Sequence, residues 1–146
     1  VLVINVTRQK ISSLLVIGLV RIGKSMGYFY NSSQTGRART VNISSTVEDQ
    51  TDVLYTCPAN VRAYMSTLFI KNVSGGTCTV DIEWDRADGT SAFILGSKNL
   101  GNGEFVQFSD GFIVLEPGDE IEVTPSSQST PRIDTFATVE EFFQTQ

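Results

Sequence analysis

Between Thr77 and Thr124 polar and apolar side chains alternate with a period of two. Cys78, Val80, Ile82 and Trp84 share one parity while Thr79, Asp81, Glu83 and Asp85 share the other, the pattern of a strand with one face on a core and one in water. Ala87-Asp88-Gly89 is a hairpin turn signal, and Ser91 to Leu95 returns from it. A loop at 98–103 follows, and then short strands at Phe105 to Phe108, Phe112 to Leu115 and Ile121 to Val123. The pattern predicts a core of Val80, Ile82, Trp84, Phe93, Phe105, Val114, Leu115, Ile121 and Val123. Pro117-Gly118 occupies the centre of a type II turn, which suits a corner between sheets better than a tight hairpin.

Upstream, Leu2 to Val6, Ser12 to Ile22, Ala38 to Ser44, Val53 to Thr56 and Arg62 to Val73 are strand-prone. In the last of these Tyr64, Ser66, Leu68 and Ile70 fall on one face, and Ala63, Met65 and Phe69 on the other. Downstream, Pro125 to Pro131 reads as a polar loop and Arg132 to Val139 as a final strand. Thr138 with Glu141 has the spacing of a capping box, which predicts a short C-terminal helical turn. The fold expected is all-β, an antiparallel β-sandwich of jelly-roll-like form. An extended N-terminal arm (1–44) precedes the sandwich body (45–146).

The 146 residues are one domain's worth, enough to remove roughly 68–70% of the unfolded surface from water. The chain has no histidine, which argues against Ser-His-Asp catalysis and the common zinc sites. Cys78 shares the inward parity of Val80, so Cys57 and Cys78 read as free, buried thiols. Charge is divided sharply: residues 1–47 carry +6 and no acid, residues 48–146 carry −11. The cations of the arm are Arg8, Lys10, Arg21, Lys24, Arg37 and Arg39. Six cations without an acid repel one another and seek an acidic surface, so the arm is expected to leave its own core and dock on a neighbour.

Gly18-Leu-Val-Arg-Ile-Gly23-Lys24-Ser25 matches the phosphate-loop pattern. A phosphate loop runs directly into a helix whose N-terminus faces the anion. Here Met26-Gly-Tyr-Phe-Tyr30 follows, and the loop positions are bulky and apolar, so the match is read as coincidence. Tyr28, Phe29 and Tyr30 beside Arg37 and Arg39 imitate an aromatic-basic nucleic-acid surface. Alternating aromatics more often pack on a core, and a body of −11 repels nucleic acid. Ile11 to Val20 is too short to span a bilayer, which needs ~20 apolar residues. Neither nucleic acid nor membrane is therefore an expected partner.

Asp81, Glu83 and Asp85, with Glu120 and Glu122, form an acidic surface on strand faces. Their spacing is that of a solvated face and not of a calcium loop. No catalytic group, cofactor or metal is expected. Trp84 invites a sugar-stacking role, but its parity places it with Val80 and Ile82.

Three stretches carry a resemblance: Asp52-Val-Leu-Tyr-Thr-Cys-Pro-Ala-Asn60, Phe112-Ile-Val-Leu-Glu-Pro-Gly-Asp119 and Ala137-Thr-Val-Glu-Glu-Phe-Phe143. With Leu68 to Gly76 between them, they resemble small β-sandwich virion proteins of tailed bacteriophages. The resemblance implies a non-enzymatic structural role in the virion, as capsid decoration or as a neck or tail accessory. It implies assembly with copies of itself, as a homo-oligomer, and with other virion proteins, through the arm and the sheet edges. The alternative reading is a carbohydrate- or receptor-binding β-sandwich module.

Overall fold

A computed structural model of the protein describes residues 36–111, 113–126 and 130–143. The expected strands at 2–6 and 12–22, the Gly18 to Ser25 motif and the cations Arg8, Lys10, Arg21 and Lys24 lie outside the described residues. Nine strands are present among those described: β1 (Gly36–Ser45), β2 (Asp52–Thr56), β3 (Val61–Asn72), β4 (Cys78–Asp85), β5 (Ser91–Leu100), β6 (Phe105–Phe108), β7 (Ile113–Leu115), β8 (Glu120–Ser126) and β9 (Ile133–Phe143). They form two antiparallel sheets. In one, here sheet A, the order is β1-β9-β3-β6, with β7 also paired to β3; in the other, sheet B, it is β2-β8-β4-β5.

The inward side chains of both sheets meet in a single core. Sheet A contributes Ala63, Met65, Leu68, Ile70, Ile133, Ala137 and Val139, and sheet B contributes Cys78, Val80, Ile82, Ile121 and Val123. Each is removed from water by strand alternation, and a large aliphatic residue so buried contributes about 1.5–3 kcal/mol.

Register shifts in three strand pairs affect which residues face inward. In β3 the pairing with β9 slips between Met65 and Thr67. The phase changes there, so Ala63 and Met65 share the inner face with Leu68 and Ile70, while Tyr64 and Phe69 point out. This corrects the strict alternation that put Tyr64 with Leu68. Between β4 and β5 the register passes from Val80 opposite Lys98 to Ile82 opposite Leu95 and then Glu83 opposite Phe93. Ser97 takes a φ of 45° at this point, and its backbone N–H donates to Asp81 Oδ1. Pairing opposite the outward Glu83 turns Phe93 to solvent, where it is 64% exposed. In β2 a shift between Val53 and Tyr55 buries Leu54 and Tyr55 together.

Phe93 and Phe105 are therefore surface residues and not core, and Val114 faces away from the core beside a buried Leu115. Trp84 packs on the edge of the core and donates from Nε1 to Asp119 Oδ2. The residues expected in a loop at 98–103 begin as strand, since β5 runs to Leu100. The C-terminal helical turn is replaced by strand: Thr138 to Phe143 continue β9, paired to β1 on one side and β3 on the other. A capping box is worth little against two ladders of hydrogen bonds and the burial of Val139 and Glu141.

The corner at Glu116–Asp119 is built as the turn chemistry predicts. Gly118 has a φ of 88°, and the Asp119 N–H closes the turn on the Glu116 carbonyl. Asp119 is buried and accepts from Trp84 Nε1, the Ala87 N–H and the Glu116 N–H, which ties this corner to the end of β4.

Candidate functional site

The candidate surfaces are the outer faces of the two sheets. On sheet B, Glu83 lies directly opposite Glu122 and Asp85 directly opposite Glu120, so four carboxylates form a square across two adjacent strands. Asp81 is one row away, opposite Thr124. The structure thus brings all five of the expected acidic residues onto one sheet face. No basic residue stands at an outward position of β4 or β8. Like charges directly opposite in a sheet are unfavourable, and the effect registers on Glu122. Partial burial, then Asp85, Glu120 and Glu83, push its pKa above the ordinary glutamate value. Two apolar side chains on the edge strands flank the row: Val53 is opposite Glu122 and Phe93 opposite Glu83.

Of the expected arm cations, Arg37 and Arg39 are described, and both lie in β1 of sheet A. The expected boundary at 44/45 falls within this strand, which pairs with β9 along its whole length and buries Val41. Arg39 is engaged by its own chain: Nη1 lies 3.2 Å from Glu141 Oε1, and the guanidinium stands over the Tyr55 ring. Glu141 is buried, and the Tyr55 hydroxyl donates to it at 3.0 Å. Burial, together with Cys57 and Glu141 nearby, raises the Tyr55 pKa far above its ordinary value, so this hydroxyl stays a donor. The pattern of the chain did not signal this cluster, because its members are 86 and 102 residues apart.

The outer face of sheet A carries a second feature that strand parity alone did not reveal. Phe69 lies between Phe136, 4.8 Å away, and Phe105, 5.2 Å away, each ring inclined 24° to it. These separations match the spacing of adjacent strands. The three nearly parallel rings stack in a row across β9, β3 and β6.

Cys57 and Cys78 are free and buried. Burial pushes the Cys57 thiol up to about 11 and Cys78 in the same direction, so neither is a poised nucleophile. Among the described residues, no group of three or more carboxylate or thiol side chains is arranged to hold a metal ion.

The fold and these surfaces define a two-sheet, all-β module with one acidic face and one aromatic face. No protein-family model and no curated protein matches the chain. Among solved structures it is similar to a subunit of the disulfide-linked pili of Bacillus endospore appendages, at a TM-score of 0.51 and 14% identity, over 80% of this chain and 95% of that one. Weaker likenesses are to VP2 of infectious bursal disease virus (TM-score 0.48, 12% identity, 75% of this chain and 33% of that one) and to the acid-stable capsid of Helicobacter pylori bacteriophage KHP30 (0.41, 8%, 77% and 94%). The chain spans about a third of the VP2 length. At these identities the likeness concerns the fold alone.

Proposed function

We propose that the chain is a non-enzymatic structural subunit of a tailed-phage virion, a capsid-decoration or neck or tail accessory protein that assembles with copies of itself and with other virion proteins. The observation that carries this reading is the strand order. With β6 and β7 counted as one strand interrupted at Asp110-Gly111, the sheets run first-eighth-third-sixth and second-seventh-fourth-fifth. That interleaving is a jelly-roll sandwich, an architecture used by viral capsid domains. The pilus subunit that shares the fold also builds a repeating structure. The two cysteines of this chain, by contrast, are free and buried.

In this reading the docking arm ends just before Gly36, and its cations Arg8, Lys10, Arg21 and Lys24 complement the acidic face of sheet B on a neighbouring subunit. Arg39 instead ties β1 to β9 of its own sheet through Glu141. A glycan-binding role is disfavoured by the aromatic stack, since sugars pack on flat ring faces and Phe69 offers neither of its own.

The test compares the full chain with a variant lacking residues 1–35, by sedimentation velocity and electron microscopy at low and high salt. The full chain is expected to assemble, more weakly at high salt, and the truncated chain to remain folded and to assemble less. A full chain that stays monomeric at every concentration refutes the reading. Equal assembly without the arm refutes the arm's part in it.

A further inference from the structure

We propose that a second copy of this chain docks on the outer face of sheet A, over the Phe136-Phe69-Phe105 stack. This rests on the reading that the chain assembles with copies of itself, and it names the face that does so by sheet packing.

The first ground is the stack itself. Phe105 is 59% and Phe136 40% exposed, and both lean on Phe69 in a row across three strands. The outward positions around them add Tyr64, Val114 and Phe142. Tyr64 is fixed by Gly111, where a side chain would collide with its hydroxyl, and Phe142 lies across Gly36 in the same way. The result is a pre-ordered apolar surface, so little side-chain entropy is lost on covering it. Aromatic residues of this kind dominate the energetics of protein interfaces.

The second ground is charge, which selects the occupant. The outward charges of β3 and β9 are Arg62, Lys71, Asp134 and Glu140, two of each sign. Lys71 and Asp134 are register partners, so a two-fold related copy can set each against its opposite on the partner, as an isologous interface requires. Sheet B cannot do this, because Asp81, Glu83, Asp85, Glu120 and Glu122 would meet their own images. For a chain of net charge −5, sheet A is the face on which self-packing meets no like-charge barrier. A strongly basic or acidic partner, by contrast, would gain nothing from its balanced charges.

The test uses the full chain with Phe105→Ser and Phe136→Ser together. Both side chains are outside the core, and thermal melting verifies that the fold is kept. A second variant, Glu83→Gln with Glu122→Gln, alters the opposite face. Dissociation constants between copies are read by sedimentation equilibrium at high salt, where contacts of the charged arm are screened, and particles are imaged separately. The Phe variant is expected to weaken this association by about tenfold or more, and the Glu variant to leave it unchanged or strengthen it.

If the Phe variant associates as tightly as the parent, the proposed face is wrong although the assembly reading stands. If the parent itself never associates, both fail. If the parent stays monomeric at high salt yet binds immobilised glycans, and the Phe variant does not, the aromatic face is a sugar site and the proposal is overturned.

Discussion

Glu122→Gln should stabilise the protein, against the usual effect of changing a well-placed residue. Glu122 stands directly opposite Glu83, has Glu120 two residues before it on its own strand, and is diagonal to Asp85. A like-charged cross-strand pair costs about 0.2–1 kcal/mol, and partial burial adds the desolvation that comes first among the causes of its raised pKa. The glutamine keeps the shape and removes the charge, so the expected gain at pH 7 and low salt is about 1 kcal/mol, or roughly 4 °C in Tm for a domain of this size.

Salt and pH separate the two causes. At 1 M salt the Debye length falls to ~3 Å, and only the desolvation part of the gain should survive. Folding raises the pKa of this carboxyl, so the folded chain keeps a proton that the unfolded chain has already released. The penalty is therefore absent at pH values well below the ordinary 4.5, grows as pH rises toward the raised folded value, and is complete above it. Urea unfolding of both proteins at pH 3.5 and pH 7, each at two salt concentrations, measures all of this. A variant that is less stable at pH 7, or whose advantage is the same at both pH values, refutes the reasoning.

Three further outcomes are expected. Tyr55→Phe removes a donor to the buried Glu141 carboxylate and should cost about 1.5–3 kcal/mol in chemical denaturation; a cost below 0.5 would mean, by the same principle, that Arg39 alone satisfies Glu141. Gly111→Ala places a methyl on the Tyr64 hydroxyl at a φ of 65° and should lower stability by about 2 kcal/mol or more; unchanged melting would show that the β6–β7 interruption gives way freely. Neither Cys57 nor Cys78 should react with a maleimide in the native protein at pH 7, and both should react in denaturant, as read by intact mass; native labelling of either would show that the core opens.

The alternation of β4 and β8, the Pro117-Gly118 corner and the polar side chains of the acidic face were legible in the chain, because each depends on neighbours within a few residues. No bulge intervenes between β4 and β8, so Asp81, Glu83, Asp85, Glu120 and Glu122 keep the alternation of their strands and share one sheet face. What the residues could not disclose depends on pairing. Phe93 faces outward because it pairs opposite Glu83; Tyr64 does so because a bulge in β3 separates its phase from that of Leu68, and a one-residue slip moves every later side chain to the opposite face. Thr138 to Phe143 carries a helix signal, and becomes strand because β1 and β3 flank it and supply its backbone partners. Arg39, expected on a free arm, is held by Glu141 and Tyr55. The stack of Phe136, Phe69 and Phe105 exists only in the lateral order of β9, β3 and β6. Local pattern determines which residues can form a strand and which of its faces is polar. Strand order and register, which are properties of the folded sheet, decide which of those faces meet and what they bring together.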